Sequence, residues 1–156
     1  GRDYYFVSKD EFAAMVGRGE FLEHAQVFDN FYGTALGQVE VSLAGGQDLI
    51  LEIDWQGAQQ IRRALPECRS IFILPPSRQE LERRLRGRGT DAEDVIQRRL
   101  RDAATDMTHW SEFDYVVVND DFERALADLH AIVQGRGDAS RRDREGLGEL
   151  AAGLTA

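Results

Sequence analysis

The chain has 156 residues, about one domain's worth and long enough to bury a sizeable core. Its net charge of −9 argues against a general nucleic-acid or anionic-membrane binder. No apolar run approaches the ~20 residues of a membrane span, and no signal pattern opens the chain. One cysteine, Cys68, leaves no internal disulfide and no thiol set for zinc, which points to a reducing, cytoplasmic setting.

In chain order, "DYYFV" (3–7) reads as a short strand, and Ser8 with Glu11 forms a capping box that opens a helix. "FLEHAQVF" (21–28) alternates as a strand, and "DNFYG" is a turn-rich loop. "TALGQVEVSLAGG" has helical spacing and a Gly-Gly stop. "LILEIDWQG" (49–57) reads as a strand covered on both faces, ending in Glu52 and Asp54 on one side. A helix "GAQQIRRAL" and a strand "SIFILPP" follow. Ser77 with Glu80 caps the next helix, and Thr90 with Glu93 caps another that runs to about Met107. "DYVVV" (114–118) is a buried strand and "DDFERALADLHAIVQ" a final amphipathic helix. Apolar strands separated by helices imply a mostly parallel α/β sheet. From Gly135 onward the composition of Gly, Ala and charge reads as a mobile tail.

Three stretches carry chemistry. Ligands of parallel α/β sheets sit beyond the carboxyl ends of the strands, where Glu52 and Asp54 fall together with Asn119, Asp120 and Asp121. Capping of the following helix is the stronger reading for Asp120 and Asp121; it is the weaker one for the pair at 52 and 54. In "FLEHAQVFDNFYGT", Glu23 shares the apolar strand face of Phe21, Ala25 and Val27, and a carboxylate there needs a partner or a ligand. Glu23 with the hydroxyl of Thr34 matches a guanine edge: N1–H and N2–H₂ toward the carboxylate, O6 toward the hydroxyl. Adenine places an acceptor against the carboxylate and is rejected. An arginine partner for Glu23 and an ordinary core role for Tyr32 are the competing readings. Finally, eighteen of the 19 basic residues are arginine, and "RRLRGRG" (83–89) gathers four. Arg84 and Arg88 share a helix face with only Glu80 as an acidic neighbour, which suits phosphate clamping; a solvated charged face is the alternative.

These motifs, with "DYYFVSKDEF", "SIFILPPS", "RLRGRGTDAEDVIQRRL" and "EFDYVVVNDD", resemble the guanylate kinase family in order and nearly throughout residues 3 to 133. The resemblance implies a P-loop-type nucleoside-monophosphate kinase fold: a mostly parallel core (39–77 and 109–135), a GMP-binding region (1–38) and a helical lid (78–108), followed by a tail (136–156). It implies phosphoryl transfer from ATP to GMP with Mg²⁺, no nucleic-acid partner and no membrane. By resemblance, Tyr4 and Tyr32 hold the GMP phosphate, and Glu23 and Thr34 read guanine. Glu52 and Asp54 lie near the nucleoside, Asp54 reaching the metal through water. Arg84, Arg88 and Arg99 contact the transferring phosphates, and Asn119 lies close to the adenine.

One departure stands out. The family's G-x-x-x-x-G-K-[ST] loop does not occur in these residues, and the single lysine, Lys9, sits in a capping box. The expectation is an N-terminally truncated kinase, inactive by itself. The runner-up is a non-catalytic guanylate-kinase-like module that binds phosphopeptides; retention of Asp54 and the three lid arginines speaks against it. An adenylate-kinase-like reading fails on Glu23 and Thr34.

Overall fold

The computed structural model describes residues 4–27, 29–87 and 92–155, and the chain divides into two units, Gly1–Cys68 and Arg69–Ala156. In the first unit, α1 (Lys9–Gly17) opens with Ser8 Oγ accepting from Glu11 N at 3.1 Å, as the capping box requires. Strand β1 (Phe21–Val27) pairs antiparallel with β2 (Asn30–Ala35). The stretch expected to be a loop thus forms half of a hairpin. The register shifts between Phe21 and Glu23, so two β1 residues oppose one on β2 immediately before Glu23, a bulge of the kind that re-aims a side chain. Phe12 stacks on Phe21 with ring centroids 4.7 Å apart and leans on Phe31 at 5.5 Å, holding α1 to the hairpin. Gly33 is required in β2, because a Cβ there would come within 2.7 Å of the Phe21 ring. Helix α2 (Leu36–Ala44) ends at Gly45–Gly46, the second with φ +72°. Helix α3 (Trp55–Ala64) packs on β1 through buried Gly57, Ala58 and Ile61.

Two expected strands do not form. Residues 4–7 have no strand pairing, and Phe6 is 87% exposed; Asp3 lies outside the described residues. Residues 49–53 are likewise irregular, with Ile50 79% exposed and Glu52 exposed. Strands exist by pairing, and no described strand lies hydrogen-bonded alongside either segment. Apolar composition alone therefore did not make them strands.

In the second unit, β3 (Ile71–Leu74) and β4 (Tyr115–Val118) pair in parallel, as expected for an α/β core. Val116 and Val117 point to opposite faces and both are fully buried. One face packs with Leu74 against Met107 of α5 (Glu93–Met107) and Leu147 and Leu154 of α7 (Leu147–Thr155). The other packs on Ala125 and Ile132 of α6 (Phe122–Val133). Asp114 ties the two strand starts together, its Oδ2 accepting from Ser70 N at 2.9 Å and Ser70 Oγ at 2.7 Å. Helix α4 (Arg78–Gly87) starts where Ser77 Oγ accepts from Glu80 N at 3.1 Å. Thr90, the expected cap of α5, lies outside the described residues, and Ala92 occupies the N-cap.

The segment read as a tail is folded. Arg141 bridges to Tyr115, Arg144 Nη1 donates to Val116 O at 2.9 Å, and Leu154 of α7 is 1% exposed. The edge of β4 presents backbone groups that need partners, and this segment supplies them. Its leucines, too sparse to mark a helix by periodicity, are spaced well enough for one turn-by-turn contact with the core.

Candidate functional site

Glu23 is 3% exposed, and its cross-strand partner in the hairpin is Thr34. The Thr34 hydroxyl donates to Glu23 Oε1 at 2.6 Å. The partner that the carboxylate needs is thus a hydroxyl. Its other oxygen, Oε2, lies against Gly57 of α3, 2.6 Å from where a Cβ of residue 57 would stand. Next to it, Gln60 clasps the backbone of His24: Nε2 donates to His24 O at 2.7 Å, and His24 N donates to Oε1 at 3.1 Å. The seat of Glu23 is therefore built from a bulge, a cross-strand hydroxyl and one face of α3.

Tyr32 lies on the same hairpin, and its ring meets Tyr4 edge-on at 6.2 Å, both side chains exposed. Two phenols thus converge at one open surface of the first unit. Asp54 is the N-cap of α3: Oδ1 accepts from Gly57 N at 2.9 Å and Oδ2 from Gln56 Nε2 at 3.0 Å. The carboxylate is oriented by the helix start and only partly buried. Glu52, expected beside it in a buried strand, is instead an exposed residue of an irregular segment.

On α4, Arg84 is not the unneutralised cation its sequence neighbours suggested. Its Nε donates to Glu80 Oε1 at 2.6 Å, and Arg83 shares the same carboxylate. Those two guanidinium groups, Arg83 first, hold the Glu80 carboxyl down to about 2. Arg99 sits half-buried on α5; Arg88 lies outside the described residues. Arg86 links α4 to α5 by donating to Glu93 as well as to Glu82. Sequence reasoning missed this tie, although the seven-residue spacing from Arg86 to Glu93 was visible.

At the end of β4, Asn119 N donates to Leu74 O at 2.8 Å, extending the parallel pairing by one bond. Beside it an open cavity of about 320 Å³ is lined by Val118, Asp120, Arg124, Asp128, Ala139 and Arg144. Asp121 caps α6, its Oδ1 accepting from Arg124 N at 2.9 Å, so capping accounts for Asp121, while Asp120 Oδ1 accepts from Asp121 N at 2.8 Å ahead of the helix.

Comparison with known proteins bears on what this arrangement is. A guanylate kinase structure from Anaplasma phagocytophilum matches with a TM-score of 0.70 at 37% identity, over 96% of this chain and 73% of that one. The fold is thus that of the nucleoside-monophosphate kinases. The guanylate kinase family model matches residues 1–136, and the chain belongs to the guanylate kinase family. It is similar to the guanylate kinase of Photorhabdus laumondii, 54% identical over 145 residues covering 93% of this chain and 69% of that protein. The guanylate kinase of Salmonella typhimurium is 58% identical over 134 residues, 86% of this chain and 65% of its own length. That of Methylococcus capsulatus is 55% identical over 154 residues, 99% and 76% respectively. The chain therefore spans about two thirds to three quarters of the length of these relatives.

Proposed function

We propose that the protein transfers the γ-phosphoryl group of ATP to GMP, giving ADP and GDP. The observation that carries this reading is the buried Glu23–Thr34 pair. A hydroxyl has one proton to donate. Without a ligand that proton satisfies Glu23; when guanine presents N1–H and N2–H₂ to the carboxylate, the Thr34 hydroxyl is released to donate to O6. The base thus exchanges one set of hydrogen bonds for another and leaves no buried acceptor unpaired, whereas adenine cannot make the exchange.

In the same unit, Tyr4 and Tyr32 are assigned to the GMP phosphate, which their converging exposed rings support. Glu52 and Asp54 are assigned to the nucleoside side. Arg84, Arg88 and Arg99 are assigned to the transferring phosphoryl group, for which the guanidinium fork is suited. Asn119, beside the cavity at the end of β4, is assigned to the adenine. Among the described residues no cluster of three His, Cys, Asp or Glu forms a metal cage. Mg²⁺ would enter on the phosphates of ATP, and Asp54, oriented at the start of α3, is assigned to its water shell. Bound there, Mg²⁺ neutralises charge on the β- and γ-phosphates. The backbone cradle for those phosphates is assigned to no residue of this chain. A cytoplasmic setting accords with the single cysteine, and no helix among the described residues is long and apolar enough to cross a membrane.

The test is an assay of the full-length protein with Mg·ATP and GMP, AMP or UMP. GDP formation with GMP strongly preferred supports the reading. Equal use of AMP, or phosphopeptide binding without turnover, would overturn it.

A further inference from the structure

We infer that Gly57 and Gln60, three residues apart on one face of α3, are positioning residues that set where the guanine-reading carboxylate of Glu23 stands; this rests on the function proposed above. A Cβ at residue 57 would lie 2.6 Å from Glu23 Oε2, 3.2 Å from its Cδ and 3.3 Å from Ile53 Cβ. The closest of these atoms ends a flexible side chain, so an added methyl group can be relieved by swinging the carboxylate aside. The fold would tolerate that movement, but recognition would not. Glu23 is buried, fixed on one oxygen by Thr34, and must offer both oxygens to donors in one plane. Glycine at 57 is therefore the condition for the carboxylate to lie flat against the helix.

Gln60 acts on the same residue from the backbone. Its amide satisfies both the N–H and the C=O of His24, the neighbour of Glu23, on the side of β1 turned away from β2. That clasp fixes the height of β1 above α3 and hence the reach of Glu23. Residues three apart on a helix lie on the same face, which lets one helix supply both the space and the clasp.

The two roles separate in experiment. Alanine is a better helix former than glycine, so Gly57→Ala should leave the melting temperature unchanged or raised. In the full-length enzyme it should nonetheless raise KM for GMP by about tenfold or more, as displacements of about 1 Å do at positioned sites. The preference for GMP over IMP, which lacks the 2-amino group, should narrow, while kcat at saturation and KM for ATP stay within about twofold. Gln60→Met, similar in shape but without the clasp, should move the same ratio in the same direction. Glu23→Asp withdraws the carboxylate by one methylene, so Gly57→Ala should cost less in that background, a coupling that a double-mutant cycle reads. An unchanged GMP-to-IMP ratio in both single variants would overturn the seat alone. So would a fall in kcat and melting temperature with the ratio intact. A parent enzyme with no preference for GMP would overturn the guanine reading and the seat with it.

Discussion

Arg86 on α4 donates to Glu93 on α5, Nη2 to Oε1 at 2.7 Å, while its Nε donates to Glu82 at 2.8 Å. One guanidinium thus ties the two helices together. The Arg86 hydrogen bond, seconded by Gln97, holds the Glu93 carboxyl down to about 2. A depressed carboxylate contributes its share of stability above its unfolded value and loses it as pH falls through the folded one. The tie should therefore be intact at neutral pH and be lost between about 4.5 and about 2. Site-resolved carboxyl titration should find Glu93 near the lower value, and Arg86→Ala should return it to the ordinary carboxylate range. Because both side chains are exposed, global stability should hardly change. Glu93 titrating normally in the parent protein would refute the tie.

Replacing Glu23 by Gln exchanges one acceptor oxygen for a donor facing the N–H groups of guanine. The expected loss is about 1–3 kcal/mol, appearing mainly as a raised KM for GMP. Thr34→Val should raise KM for GMP as well, since it removes both the O6 contact and the hydroxyl that holds Glu23 Oε1. Steady-state kinetics with GMP at saturating ATP checks both, and unchanged constants in Glu23→Gln would remove that residue from the site.

How far the sequence anticipated this structure depends on what each signal rests on. Capping boxes are local, and Ser8 and Ser77 cap as read. Glu23 was conspicuous because a carboxylate on an apolar strand face needs a partner, and Thr34 is that partner. Residues 49–53 and 4–7 failed because a strand's existence is decided by a neighbour elsewhere in the chain, which hydrophobicity at the segment itself does not reveal. The packed segment 138–155 failed for the converse reason. Its value lies in covering the edge of β4 and filling the core beside Val116, and a composition rich in Gly and charge conceals both. Gly57 was invisible because its role is the absence of a side chain.

The fold of that C-terminal segment can be tested by truncating a buried side chain. Leu154 packs with Leu74, Met107 and Val116. Leu154→Ala should destabilise the protein by about 2–5 kcal/mol in denaturant unfolding. A mobile tail predicts no measurable change, so the two outcomes do not overlap.

Arg84 is bound to Glu80 at rest and must exchange that carboxylate for phosphate if it acts in transfer. Arg84→Ala should lower kcat, by up to ~10³-fold if it behaves as an arginine finger, and Arg84→Lys should rescue poorly for want of the fork. Arg88→Ala and Arg99→Ala are expected to act in the same direction. Glu80→Gln should not lower kcat, because it frees the guanidinium. Near-parental rates in all three arginine variants would reduce this region to a charged surface.

Asp54 separates structural from chemical function most cleanly. Its carboxylate caps α3 by accepting from Gly57 N, and asparagine is as good an N-cap as aspartate. Asp54→Asn should therefore keep the helix start, and with it the Gly57 seat of Glu23, while removing the negative charge assigned to the water shell of Mg²⁺ and to the nucleoside. Asp54→Ala removes both and should cost a further ~0.5–2 kcal/mol of stability. If the charge takes part in transfer, both variants should lose kcat by similar factors, with only alanine lowering the melting temperature. If Asp54 is a cap and nothing more, asparagine should be silent in kcat and alanine should be felt in stability first. The comparison of kcat and melting temperature across the two substitutions decides between these roles, and a fully active Asp54→Asn enzyme would withdraw Asp54 from the chemistry while leaving its place at the start of α3 intact.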